Sequence, residues 1–135
     1  MVGKTSKQEA TTAVIVNENE LSADSEENQT FTDLSTKLAE IKKMKGVIGY
    51  IIRNENSATI DLKEPEKLAE YAIFSSQVLD STLQISNLFE LEDVKSILVE
   101  GEKNNALCMN IKGNKIGIFL EKDGDHSSIL KKVLQ

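Results

Sequence analysis

The chain has 135 residues, of which 39% are hydrophobic and 28% charged, and its formal net charge is −6. This length and composition predict one soluble globular domain with room for a tail. The acidic balance disfavours nucleic-acid binding, because neutralising phosphates requires clustered Lys and Arg. No apolar run approaches the roughly 20 residues that a membrane helix needs, and nothing after Lys4 and Lys7 resembles a signal peptide. The single cysteine, Cys108, fits a reducing compartment, so we expect a cytoplasmic protein without direct membrane insertion.

Residues 1–30 differ in composition from the rest of the chain. They hold six acidic residues against two lysines, with Ser, Thr, Asn and Gln filling much of the remainder. Such a composition buries too little apolar surface to fold alone, so it predicts an acidic, disordered tail before a domain at 31–135. The run at 12–16 is β-prone, and it is consistent either with an edge strand or with a segment that binds a partner.

The folded part is predicted to begin with a helix that carries one apolar face. Thr32 is the expected N-cap, lysines near position 43 suit the negative helix end, and Gly46 is expected to end the helix. The apolar face recurs at helical spacing and consists of Phe31, Leu34, Leu38 and Ile41.

A hairpin and a long helix are predicted next. The run at 47–53 is apolar on both faces and predicts a central strand, and 58–62 returns as a second strand after turn residues at 54–57. Pro65 suits the first turn of a helix over 65–89. The apolar arc of this helix is wider than the roughly 100° stripe that docking on one surface requires, and it contains small residues that permit close approach of another backbone.

Three strands at about 94–101, 105–111 and 115–122 are predicted to close the domain, joined by turns at 102–105 and 112–115. A capped turn then leads into a short terminal helix. The predicted order is αββαβββα, an α/β (α+β) fold.

The sequence offers few groups suited to catalysis or metal binding. Asp123, Asp125 and His126 lie close together, but a calcium loop needs more ligands at wider spacing, so we interpret them as a helix-capping turn. Cys108 lies within a strand of mainly apolar residues, where we expect it to be buried as a small hydrophobic side chain. Arg53, the only arginine, is expected to be solvated rather than an arginine finger. We therefore predict no enzyme, with no catalytic residue, no cofactor and no metal.

The element order resembles the Roadblock / dynein light-chain family from about Phe31 to the C-terminus. Three stretches carry the resemblance: Gly-Val-Ile-Gly at 46–49, the helix at 65–89, and Ile-Gly-Ile-Phe-Leu at 116–120. One departure is the first hairpin, where Asn-Glu-Asn at 54–56 replaces the usual Asp-Gly. The resemblance implies a profilin-like or longin-like sheet of five strands, with the long helix on one face and the terminal helices on the other.

The resemblance also implies a dimer, formed by pairing the long helix and the third strand with their two-fold mates. In this chain that seam is 65–89 with 94–100, a strand that would otherwise be an exposed edge inviting aggregation. The expected interface residues are Leu68, Tyr71, Ala72, Ser75, Val78, Leu79, Thr82, Ile85, Ser96 and Leu98.

The function that the resemblance implies is a non-catalytic scaffold, as a homodimer or as a heterodimer with another Roadblock protein. Its expected partner is a Ras-like small GTPase, contacted at its switch regions, or a motor or signalling complex. Two alternatives stay open. One is a small-ligand sensor whose pocket would draw on Cys108, Ser75 and Tyr71. The other is a longin-like trafficking scaffold.

Overall fold

The computed structural model of the protein describes residues 12–17, 26–63, 65–91 and 95–135. Three helices and six strands form in these ranges. In chain order they are β1 (Thr12–Asn17), α1 (Glu26–Lys42), β2 (Val47–Arg53), β3 (Ser57–Leu62), α2 (Leu68–Phe89), β4 (Ser96–Glu100), β5 (Asn104–Ile111), β6 (Asn114–Glu121) and α3 (His126–Leu134). A single 3₁₀ turn, Pro65–Lys67, leads into α2.

The strands form one antiparallel sheet in the order β1-β3-β2-β6-β5-β4. The five predicted strands and the order αββαβββα from α1 onward are confirmed. β1 adds a sixth strand at one edge and pairs with β3 from Thr12↔Leu62 to Asn17↔Ser57. This is the β-prone run that the sequence analysis interpreted as either an edge strand or a partner-binding segment. Most of the remaining residues of the predicted tail lie outside the described residues.

The first helix starts earlier than its apolar pattern predicts. α1 begins at Glu26 rather than near Phe31, so Thr32 is an exposed position inside the helix and the prediction that it is the N-cap was wrong. The apolar spacing marks only the turns that touch the sheet, so it does not report where the helix begins. At the other end α1 stops at Lys42, before the predicted Gly46, which has a positive φ of 86° in the turn that follows.

Both faces of the sheet are covered, which explains why β2 carries no charged residue before Arg53 and is buried from Val47 to Ile52. α1 and α3 cover one face, where Leu38 and Ile129 pack with inward-facing sheet residues such as Ile118. α2 covers the other face, where Leu79 packs with residues that include Phe119. The layer order is therefore the one that the family resemblance implied.

The first hairpin keeps its turn without the Asp-Gly pair because Asn54 supports the backbone with its side chain. The Oδ1 of Asn54 accepts hydrogen bonds from the backbone N–H groups of Asn56 and Ser57, each at 2.8 Å. Its Nδ2 donates to Oδ1 of Asn114 at 2.9 Å. This arrangement is an Asx turn, so the departure from the family pattern changes the chemistry of the turn but keeps the hairpin.

Gly49 of β2 lies directly against the backbone of β3. A Cβ at this position would lie 2.3 Å from the carbonyl oxygen of Asp61 and 2.7 Å from Cα of Leu62. Both are backbone atoms that cannot rotate away. We expect Gly49→Ala to lower the free energy of unfolding by at least about 2 kcal/mol, as overpacking does, measured by urea denaturation.

Gly113→Ala is the matched control for this prediction. Gly113 has a φ of 84°, and a Cβ added to it would meet no other atom within 4 Å. The change should therefore cost only about 1 kcal/mol of left-handed backbone strain. Equal losses of stability for the two variants would contradict the close β2–β3 approach.

Candidate interaction surface

The long helix α2 is fixed to the sheet by one narrow face. Ser75 and Leu79 are buried there, at 4% and 5% exposure. The ring of Tyr71 stacks on that of Phe119, with centroids 4.4 Å apart and an interplanar angle of 15°. A Cβ on Gly117 would lie 2.9 Å from Cβ of Ser75, so a small residue on each side allows the helix to lie directly on the strand.

A polar flank fixes the rotation of α2 from the side of β2 and β6. Arg53 donates a hydrogen bond from its guanidinium to Oγ of Ser76 at 2.6 Å. Nζ of Lys115 lies 3.3 Å from Oδ1 of Asp80. Arg53 is half-buried in this contact instead of solvated as predicted, and its guanidinium is engaged within the protomer.

The opposite flank of α2 faces the edge strand β4 and is mainly apolar, with Gln77, Ser81 and Thr82 as its polar residues. Phe74, Val78 and Thr82 recur at helical spacing and line a shallow depression with Ile97 and Val99 of β4. Ile85 continues the same helix face two turns after Val78, and it is 51% exposed. We call this set the seam surface: Phe74, Val78, Ser81, Thr82 and Ile85 of α2, with Ile97 and Val99 of β4.

The strand that borders the seam surface is an open edge. Within the part of the chain that the structure describes, β4 pairs with β5 alone, from Ser96↔Met109 to Glu100↔Asn105. Its other side therefore presents backbone N–H and C=O groups that a further strand can pair with. Apolar side chains beside an unpaired strand edge are the features of a surface that binds protein.

The predicted interface residues whose side chains the structure describes fall into two groups. Ser75 and Leu79 are buried against their own sheet, so the protomer leaves little of either side chain exposed. The side chain of Leu68 lies outside the described residues. The others are half-buried, or exposed in the case of Ile85, and remain candidates: Tyr71, Ala72, Val78, Thr82, Ile85, Ser96 and Leu98.

Sequence reasoning missed four members of the seam surface, namely Phe74, Ser81, Ile97 and Val99. Phe74 was visible as a large apolar residue four positions before Val78, which places both on one helix face. The apolar arc of α2 was too wide to show which half meets the sheet. Only the contacts of Tyr71, Ser75 and Leu79 with the sheet show which half of the arc faces it.

A groove opens beside the seam surface, between the first half of α2 and the β4–β5 hairpin. Its volume is about 460 Å³. Aromatic rings of Tyr71, Phe74 and Phe119 line it together with Val99 and Ala106, and Glu70 is its charged lining residue. Of the three residues that the sequence proposed for a ligand pocket, only Tyr71 borders this groove, since Cys108 and Ser75 are buried outside its lining.

The remaining candidate groups have structural roles. Burial raises the pKa of the Cys108 thiol to about 11, so the group stays protonated and is a poor nucleophile. Asp125 caps α3, as predicted: its Oδ1 accepts from the backbone N–H of Ser128 at 3.1 Å and its Oδ2 from the Ser128 hydroxyl at 2.8 Å. These hydrogen bonds lower the pKa of Asp125.

The described residues include no group of three or more His, Cys, Asp or Glu side chains placed to hold a metal ion. None of the helices within those residues has the length and apolar character to cross a membrane.

Comparison with known proteins supports the fold through structure rather than sequence. No protein-family model matches the chain, and no curated protein matches it. The crystal structure of a Roadblock/LC7 domain from Streptomyces avermitilis superimposes with a TM-score of 0.61 at 10% sequence identity, covering 74% of this chain and 84% of that chain. The chain therefore has a Roadblock-like fold, as the resemblance of its sequence predicted.

Proposed function

We propose that the protein is a non-catalytic, dimeric scaffold of the cytoplasm that binds other proteins. The observation that carries this proposal is the seam surface beside the open edge of β4. An exposed apolar patch of this kind is costly in water and usually marks an interface, and an unpaired edge strand is an aggregation hazard unless something covers it. A second copy that pairs with both elements removes both costs.

For that pairing we propose the register centred on Leu98, the middle residue of β4. A two-fold axis perpendicular to the sheet keeps both α2 helices on one face, and residues opposite each other in an antiparallel pair point to the same face. Ile97 and Val99 pack toward α2, so Leu98 points to the other face. The centred register therefore pairs Ile97 with the partner's Val99, and Leu98 with the partner's Leu98.

This register predicts a disulfide across the two-fold axis. Paired residues of antiparallel strands have Cα atoms about 4.5–5.5 Å apart, which is within the range of a disulfide. We expect Leu98→Cys to give a covalent dimer under mild oxidation, seen on a non-reducing gel. Cys108 contributes little background because its side chain is buried, with 0% exposure.

Val99→Cys is the matched control. In the centred register Val99 lies opposite the partner's Ile97, so the two introduced cysteines are offset by two residues along the strands. Their Cα atoms are then about 8 Å apart, which is too far for a disulfide. Cross-linking of both variants, or of neither, would contradict the centred register.

We further propose that the dimer binds a Ras-like small GTPase, or a motor or signalling complex built around one. The resemblance of the sequence to the Roadblock / dynein light-chain family supports this partner class. Arg53 contacts Ser76 of its own protomer, which favours an effect on the switch regions of the GTPase over direct insertion of an arginine finger.

The GTPase proposal predicts a complex with purified Ras-like GTPases of the same organism, measured by calorimetry with GDP and with a non-hydrolysable GTP analogue. We expect binding that differs between the two nucleotide states, together with a changed rate of hydrolysis or nucleotide exchange. Arg53→Lys should keep most of any rate effect, because no finger is involved. A panel without binding or rate change rejects this partner class and leaves the dimer proposal standing.

A small-ligand sensor is the second candidate, and one observation favours it. The groove beside α2 has the volume of an ordinary ligand site and an apolar, aromatic lining. A sensor requires that groove to stay open when the protein dimerises, which distinguishes it from a scaffold whose groove is filled by the partner.

A further inference from the structure

The second half of α2 carries large apolar side chains that its own protomer leaves in water. Ile85, Leu88 and Phe89 are 51%, 77% and 70% exposed. The first half of the same helix borders a groove lined with aromatic rings. One chain therefore carries both an unfilled apolar groove and unburied apolar side chains, but on opposite halves of one helix, where they cannot meet within the protomer.

The two features are placed symmetrically about Val78. Tyr71 of the groove lies seven residues before Val78, and Ile85 lies seven residues after it. Seven residues are about two helical turns, or roughly 10 Å along the helix. All three positions therefore lie on nearly the same side of α2, at equal distances from its midpoint.

The proposed strand pairing places the two-fold axis at this midpoint. The axis passes midway between Leu98 and the partner's Leu98, and the neighbouring Ile97 and Val99 lie beside Val78 in the seam surface. Rotation about that axis sets the α2 helices antiparallel across the seam. The partner's Ile85 then lies at the level of Tyr71, and Ile85 of the first copy lies at the level of the partner's Tyr71.

In this arrangement the partner's Phe89 also lies near the groove. It lies one turn after Ile85, and helical side chains lean toward the N-terminus of their helix, so the ring covers the turn at Ile85. The rings of Tyr71, Phe74 and Phe119 offer a further aromatic side chain the offset or edge-to-face packing that such rings prefer.

We propose that Ile85 and Phe89 of a second copy fill the groove formed by Tyr71, Phe74 and Phe119, and that the contact is reciprocal. The inference rests on the proposed dimer and names the side chains that determine its affinity. The occupant is apolar because the lining is apolar apart from Glu70 and the polar groups of the β4–β5 hairpin. A self-complementary surface of this kind closes as a dimer and does not extend into a filament.

A tryptophan probe tests this directly, because the chain contains no Trp. Phe89→Trp places a fluorophore on a side chain that the protomer leaves exposed, so the core is undisturbed. We expect its emission to shift to shorter wavelength as the protein associates with rising concentration. Ile73→Trp is the matched control, since Ile73 is 59% exposed and its helical position faces away from both the sheet and the seam.

The affinity changes should follow the same pattern. Phe89→Ala should raise the dimer Kd by about 30-fold, as loss of a buried aromatic anchor does, whereas Ile73→Ala should leave it within about twofold of wild type. Sedimentation equilibrium gives both values.

The outcomes separate this inference from the dimer proposal. If Leu98→Cys cross-links but the Phe89→Trp emission stays constant with concentration, the seam stands and the groove-filling contact is wrong. The groove is then open in the dimer, as a ligand sensor requires. If the protein neither cross-links nor associates, both proposals fall. A blue shift for Phe89→Trp but not for Ile73→Trp supports both.

Discussion

The close contact between α2 and β6 is the constraint on which the rest of the structure depends. Ser75 and Gly117 bring the helix onto the strand, and the stacked rings of Tyr71 and Phe119 hold it there. This contact fixes the rotation of α2. It directs one flank to the polar contacts from Arg53 and Lys115 and leaves the apolar flank facing β4. A larger residue at position 117 would lift the helix and separate the two parts of the seam surface.

The two edges of the sheet are treated differently, and this asymmetry selects the interaction side. At one edge, β1 pairs with the whole of β3. At the other, β4 is open within the described residues and lies beside exposed apolar side chains. β1 is likewise a terminal strand of the sheet, but the exposed apolar flank of α2 lies beside β4. Extension of the sheet by a partner is therefore favoured at β4, where the apolar flank and the edge act as one surface. The groove next to it makes this surface self-complementary rather than merely apolar.

Much of the fold was predictable because its signals are local. The unbroken apolar run of β2 predicted a central strand with both faces covered, and the turn residues placed the hairpins. The start of α1 was missed because apolar spacing reports burial and not helix length. The surface was harder. A wide apolar arc on α2 predicted contacts on two sides, but only packing against Gly117 and Phe119 shows that Ser75 and Leu79 face the sheet while Phe74 faces the seam.

The most direct test is the solution mass of the wild-type protein and of Val78→Glu by light scattering. Val78 lies at the centre of the seam surface and is only half-buried in the protomer, so the charge should disrupt association without unfolding the chain. Ile73→Glu, on the outward face of α2, is the control. We predict twice the 14.9 kDa of one chain for the wild type and the control, and a single chain for Val78→Glu. A monomeric wild type, or a Val78→Glu variant that remains dimeric, would contradict the account.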